Sequence, residues 1–177
     1  MTPLTAWQNF YVILGSAAAA LTGLQFISMA LIADMAIKPG EAESGGEAFA
    51  TPAVIHFVAV LLLAASTVAP WHGLRHASML WIATGALGVA YCLLIARRMR
   101  HTDYRPVAED WIFRAALPLC DYLALATAAA FLATHPRGGL FALAAATTGL
   151  LLIAIHNAWD NVTYLVIAKR HQAARKP

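Results

Sequence analysis

The sequence predicts an all-α, polytopic integral membrane helix bundle with five transmembrane helices, and three observations support this fold class. Of the 177 residues, 60% are hydrophobic and 12% are charged, about half the usual charged share. Five stretches are long and apolar enough to cross a hydrocarbon core about 30 Å thick. The connections between them are short, so residues 1–177 form a single transmembrane domain with no separate unit for a soluble enzyme.

The five predicted helices cover approximately residues 6–33, 52–70, 76–96, 111–133 and 139–168. No Lys or Arg precedes the first, which is also longer than the apolar region of a signal peptide, so we expect it to remain in the protein. The second follows Thr51, a residue type that caps helices, and has proline in its first turn. Residues 34–51 combine glycine, proline and three glutamates, a composition that predicts a flexible acidic cytoplasmic loop.

Basic residues predict the orientation of the chain. Five crossings place nine Lys and Arg residues on one side of the membrane and two, Arg75 and Arg137, on the other. Positively charged flanks stay in the cytoplasm. The N-terminus is therefore predicted outside and the C-terminus inside, most simply in a bacterial inner (cytoplasmic) membrane. The nine residues are Lys38, Arg97, Arg98, Arg100, Arg105, Lys169, Arg170, Arg175 and Lys176.

Small residues on the first helix predict close helix packing. Gly15, Ala19 and Gly23 recur at four-residue spacing, and such ridges let two helices approach within van der Waals contact where lipid supplies no hydrophobic drive. The spacing does not decide whether the ridge packs within one chain or between chains. A homo-oligomer is the expected assembly for so small a membrane protein.

The fifth helix carries an unusual polar run. The run from Ile155 to Tyr164 contains seven hydrogen-bonding side chains, Tyr164 included, and a carboxylate in hydrocarbon costs at least about 2.5 kcal/mol on insertion scales. His156 and Asp160 are spaced i,i+4, as are Asn157 and Asn161, so these side chains form a stripe along the helix. An ionisable group in such a place normally marks a functional site.

Counting along the helices from the basic side predicts a polar layer. At about 1.5 Å per residue, Gln25, Asp121 and Asp160 all fall at roughly 14–15 Å, and His156 at about 20 Å. On the fourth helix, Arg114 and Asp121 share a face. The predicted permeation or ion-binding residues on helices 1, 4 and 5 are therefore Gln25, Arg114, Asp121, His156, Asn157, Asp160, Asn161 and Tyr164.

Carboxylates and an imidazole at one level favour a small oligomeric channel or transporter for cations or protons. The expected partners are the lipid bilayer, further copies of the chain, and a small ion or proton, with no nucleic acid. No GxSxG, HExxH, P-loop or GxGxxG pattern occurs in the sequence, so we predict no catalytic residues and favour a protein that is not an enzyme.

Two other functions compete with transport. His156 and Asp160 have the spacing of helical metal ligands, and His56 could complete a metal site. Bis-histidine haem ligation fits poorly, because His56 and His156 differ by roughly 14 Å in predicted depth. A metal site would also suit an intramembrane metal-dependent hydrolase. Alternatively, the protein is a non-catalytic subunit or scaffold whose polar layer only sets helix registry. No cofactor is expected beyond a metal ion under the metal-site alternative.

Overall fold

The computed structural model describes residues 3–33, 41–100 and 107–174, with side chains for 3–30, 52–100 and 107–163. Every regular element in these ranges is helical and none is a strand, which confirms the all-α class. The helices are α1 (Gln8–Ala33), α2 (Glu41–Val68), α3 (Leu74–Arg100), α4 (Ala108–Trp111), α5 (Leu117–Ala130) and α6 (Pro136–Ala174). A π-helical segment, Ile112–Ala116, joins α4 to α5, and 3-10 turns at Pro3–Trp7 and Phe131–Ala133 flank α1 and α5.

Four helices in the described ranges are long and apolar enough to cross a membrane, and they identify an integral membrane protein. They are Pro3–Ala30, Leu74–Arg100, Ala108–Ala133 and Pro136–Thr163. The remaining predicted span corresponds to Pro52–Val68, a shorter apolar helix. The fifth crossing and the orientation therefore stay predictions.

The acidic segment differs from the flexible loop predicted for residues 34–51. Residues 34–40 lie outside the described ranges, whereas 41–51 form the first turns of α2. Alanine and glutamate, both strong helix formers, occupy most of these positions. Pro52 lies inside the helix, where it removes one backbone hydrogen bond.

The helices pack in the spatial order α1, α2, α6, α5, α3, with α6 also contacting α1 and α2 contacting α3. Long aromatic side chains fill the interior, including the fully buried Trp81, Tyr11, Tyr122 and Phe57. The indole N–H of Trp81 donates to Oγ of Ser66 at 2.8 Å, which links α3 to α2.

Glycines mark the closest helix contacts. A Cβ added at Gly15 would lie 3.0 Å from Cβ of Ala64, so the predicted ridge packs α1 on α2 at this residue. Ala19 and Gly23 are exposed. The tightest approach joins α3 to α5, where a Cβ at Gly88 would collide with the ring of Tyr122 and one at Gly85 would lie 2.8 Å from Cβ of Ala126.

Candidate metal centre

Three side chains of types that can ligate a metal ion meet where the beginning of α4 faces α6. His156 and Asp160 lie one turn apart on α6, with 3.3 Å between Nε2 of His156 and Oδ2 of Asp160. Glu109 of α4 places its Oε1 3.6 Å from the same Nε2. One potential ligand atom from each residue lies within 4.8 Å of the other two. We refer to these three residues as the Glu–His–Asp cluster.

The cluster is open to its surroundings. The side chain of Glu109 is 63% exposed, and those of His156 and Asp160 are 29% and 34% exposed. Nε2 of His156 is itself enclosed and has no hydrogen-bond partner among the described residues, so the two carboxylates form the accessible side of the cluster. The carboxylates also escape the full cost of desolvation that deep burial would impose.

Antiparallel packing of α5 and α6 brings these residues to one level. The two helices contact each other and are joined through Thr134 and His135. Glu109 lies 25 residues before Thr134, and Asp160 lies 25 residues after His135. Residues equally distant from such a turn stand at the same height in an antiparallel pair, because both helices rise by the same amount per residue.

Asp110 stabilises the short helix that carries Glu109. Its Oδ2 accepts a hydrogen bond from the backbone N–H of Val107 at 3.2 Å, and its Oδ1 lies 3.1 Å from Nε of Arg114 one turn further on. A carboxylate in the first turn also interacts favourably with the helix dipole. Arg114 therefore pairs with Asp110, whereas helical periodicity had placed it on one face with Asp121.

Phe113 and Asn157 support the imidazole from within the bundle. The phenyl ring of Phe113 stacks on His156, with ring centroids 3.6 Å apart and an interplanar angle of 26°. Nδ2 of Asn157 donates a hydrogen bond to the backbone carbonyl of Phe113 at 3.1 Å. Phe113 belongs to the π-helical segment, a rare geometry that often occurs at functional sites. Asn157 thus fixes the backbone of Phe113, and the ring of Phe113 orients His156.

Asp121 lies apart from the cluster, in a lateral groove between α5 and α6. The groove has a volume of about 490 Å³ and is lined by Phe113, Leu117, Cys120, Asp121, Ala124, Gly149, Leu152 and Ile153. A Cβ added at Gly149 would lie 2.7 Å from Oδ1 of Asp121, so the carboxyl group occupies the space that this glycine leaves. Phe113 borders both the groove and the cluster.

The other predicted site residues are distributed over several places. Gln25, Asn157 and Asn161 are buried in the bundle. His56 is fully buried, and its Nδ1 lies 3.0 Å from the hydroxyl of Tyr122, so it is not part of the cluster. The side chain of Tyr164 lies outside the described residues.

The structure separates Asp121 from Asp160, which counting had placed at one depth. Asp121 packs against Gly149, which precedes Asp160 by 11 residues, or about 16 Å along the helix. The difference arises because α6 runs on to Ala174. Lys169 therefore lies well beyond the level at which α4 begins and is a poor reference for depth.

Glu109 is the cluster residue that the sequence pattern did not identify. It lies two residues before the predicted span 111–133, where acidic residues usually belong to a solvated helix end. The available signal was that Glu109 and Asp160 are equally far in sequence from the turn between α5 and α6. This signal has meaning only when those two helices are known to pack against each other.

Comparison with protein-family models, with curated proteins and with solved structures found no match.

Proposed function

We propose that this membrane protein binds a divalent transition-metal ion at the Glu–His–Asp cluster. The observation that carries the proposal is the convergence of three ligand atoms, from two separate helices, within 4.8 Å of one another. Ligand atoms about 2.1 Å from a tetrahedral ion lie about 3.4 Å apart. The separations of 3.3 and 3.6 Å around Nε2 of His156 match that spacing.

The ligand types favour particular metals. An imidazole with two carboxylates suits Zn²⁺, Mn²⁺, Fe²⁺ or Co²⁺, whereas Ca²⁺ and Mg²⁺ prefer oxygen ligands alone. Three protein ligands leave at least one coordination position for water or another ligand. Together with the exposure of Glu109, this favours an ion that exchanges with the surroundings over a permanently enclosed structural metal.

The proposal includes the location of the site. With five crossings and the N-terminus outside a bacterial inner membrane, the cluster faces the cytoplasm. Arg97, Arg98 and Arg100 at the end of α3 lie on the same predicted side, which supports this orientation by the positive-inside rule. The fifth crossing requires α2 to span the membrane with its apolar part, Pro52–Val68.

A second candidate function is the transport of cations or protons by a small homo-oligomer. The groove between α5 and α6 favours transport. It begins at Phe113, whose ring stacks on His156 of the cluster, and continues to the carboxyl group of Asp121. Glu109 and Asp121 are 12 residues apart, about 18 Å along a helix axis. Two ion-binding positions at different depths are what stepwise passage of a cation requires.

Metal binding is tested on purified protein that has been stripped with a chelator and titrated with Zn²⁺, Mn²⁺ and Co²⁺. We expect one ion per chain, and a loss of affinity of more than about 100-fold in His156→Ala, since even outer-shell changes cost 10–100-fold. His135→Ala is the matched control, because His135 is an exposed histidine outside the cluster. Equal affinities for the two variants would refute the proposal.

Transport is tested separately in liposomes loaded with a pH-sensitive or metal-sensitive dye. We expect flux in the native protein and its loss in Asp121→Asn. Metal binding without any flux would leave the first proposal standing and remove the second.

A further inference from the structure

Asp121 is a carboxyl group in apolar surroundings with no charge opposite it in the groove. The residues that line the groove with it are Phe113, Leu117, Cys120, Ala124, Gly149, Leu152 and Ile153, all of them uncharged. The nearest basic residue toward the beginning of α5 is Arg114, whose guanidinium group pairs with Asp110. An unpaired carboxylate in hydrocarbon costs at least about 2.5 kcal/mol on insertion scales.

The two carboxyl oxygens have different environments. Oδ1 fits against Gly149, and the backbone of Leu150 interacts with the carboxyl group. Oδ2 is enclosed and has no hydrogen-bond partner among the described residues. A buried polar atom without a partner is uncommon in native proteins and calls for an explanation such as an ion or a functional role.

A neutral, protonated carboxyl group fits this site better than a carboxylate. Protonation removes the charge that the apolar lining disfavours, and burying a neutral hydroxyl group without a partner costs far less than burying an unpaired charge. The groove provides a route for exchange, because it opens along the side of the bundle between α5 and α6.

From these contacts we propose that Asp121 is a proton-binding site that exchanges its proton through the lipid-facing groove between α5 and α6. The inference deepens the second proposed function, transport, by naming the proton as the ion bound at this position. It is independent of metal binding at the Glu–His–Asp cluster.

The titratable neighbours of Asp121 are few. On α5, Cys120 shares the groove, and Tyr122, which hydrogen-bonds with His56 of α2, interacts electrostatically with Asp121. On α3, Tyr91 and Cys92 interact with Tyr122. The lining residues of α6 carry no titratable group. The groove therefore holds a single carboxyl group that can gain or lose a proton.

Dicyclohexylcarbodiimide, an apolar reagent that partitions into lipid, tests this inference directly. The protonated carboxyl group transfers its proton to a carbodiimide nitrogen, and its oxygen then attacks the central carbon to form an O-acylisourea. Migration of the acyl group from oxygen to nitrogen gives a stable N-acylurea that retains every atom of both reactants. Where water reaches the O-acylisourea before this migration, hydrolysis regenerates the acid and releases dicyclohexylurea.

We expect one N-acylurea per chain, located by mass spectrometry on the peptide that contains Asp121, and formed faster as the pH falls. Asp121→Asn should abolish the adduct, whereas Asp121→Glu, which keeps a carboxyl group, should retain it. A water-soluble carbodiimide should instead react with Glu109 and Asp160, which are accessible from outside the groove.

A glycine pair provides a control on geometry. Gly149→Ala introduces a Cβ that would lie 2.7 Å from Oδ1 of Asp121, so the carboxyl group must move and the labelling rate should change at least about threefold. Gly138 has no heavy atom within 4 Å of an added Cβ, and Gly138→Ala should label like the native protein.

The outcomes separate the site from the function. Labelling of Asp121 without proton flux in liposomes upholds the proton site and overturns transport. Failure of the apolar reagent to label Asp121 in folded protein, or an identical adduct in Asp121→Asn, overturns the proton site whatever the flux.

Discussion

The imidazole of His156 is stacked on the phenyl ring of Phe113, with centroids 3.6 Å apart, and this contact joins the two polar features of the bundle. On one side of the ring pair lie Glu109 and Asp160, which face Nε2 of His156. On the other side begins the groove that holds Asp121. Any change that moves Phe113 should therefore alter the geometry of the Glu–His–Asp cluster as well as the end of the groove.

Asn157 should act on metal affinity without touching the metal. Asn157→Ala removes the hydrogen bond to the carbonyl of Phe113, so the ring that orients His156 loses its support. We expect metal affinity to fall about 10- to 100-fold, as for other outer-shell partners. Calorimetric titration measures the change, with Asn9→Ala, at an exposed position on α1, as the control. Affinities equal to the native value would rule out a positioning role.

Acidification should release the metal. Protons compete with a metal ion for imidazole and carboxylate ligands, and ion binding releases protons. The affinity of the native protein should therefore rise with pH and fall as the pH decreases. Titrations at several pH values measure this slope, which should be shallower in Asp160→Asn because one competing ligand is gone. An affinity independent of pH would contradict ligation by these groups.

Gly88 should be essential for the contact between α3 and α5. In Gly88→Ala the new Cβ would collide with the ring of Tyr122, and overpacking of this kind costs about 1–3 kcal/mol. The variant should unfold at a lower temperature in detergent. Gly23→Ala is the comparison, because nothing lies within 4 Å of an added Cβ there, and its unfolding temperature should equal or exceed the native value.

The hydrogen bond between His56 and Tyr122 should stabilise the interior. Tyr122→Phe leaves Nδ1 of the fully buried His56 without its partner, which costs on the order of 1 kcal/mol. A double-mutant cycle with His56→Phe isolates the interaction free energy from the packing of either ring. If the two single changes are simply additive, the hydrogen bond contributes nothing to stability.

Much of the secondary structure could be predicted from the sequence, because long apolar stretches have few alternatives in lipid to forming helices. The boundaries were less predictable. Residues 41–51 were expected in a loop but extend α2, because the alanine and glutamate residues that favour a helix outweigh the two glycines in this segment. The end of α6 was also predicted too early, at residue 168 where the structure has Ala174, because the last turns are polar and carry no hydropathy signal.

The candidate site was predictable only in part. The i,i+4 spacing of His156 and Asp160 predicts that both lie on one helix face, and the 3.3 Å contact between their side chains agrees with that expectation. Glu109 could not be assigned to them, because its partner helix depends on which spans pack together. His56 looked like a further ligand, yet its hydrogen bond to Tyr122 places it in a different part of the bundle.

From the sequence alone, this protein is an all-helical membrane protein with a candidate ion-binding pair on its last helix, because hydropathy and helical periodicity are local properties of the chain. The tertiary structure determined which residues of α5 and α6 stand at the same level. Antiparallel pairing of α5 and α6 brings Glu109 to His156 and sets Asp121 against Gly149. Such contacts between residues far apart in sequence depend on side-chain packing between helices, which no single segment encodes.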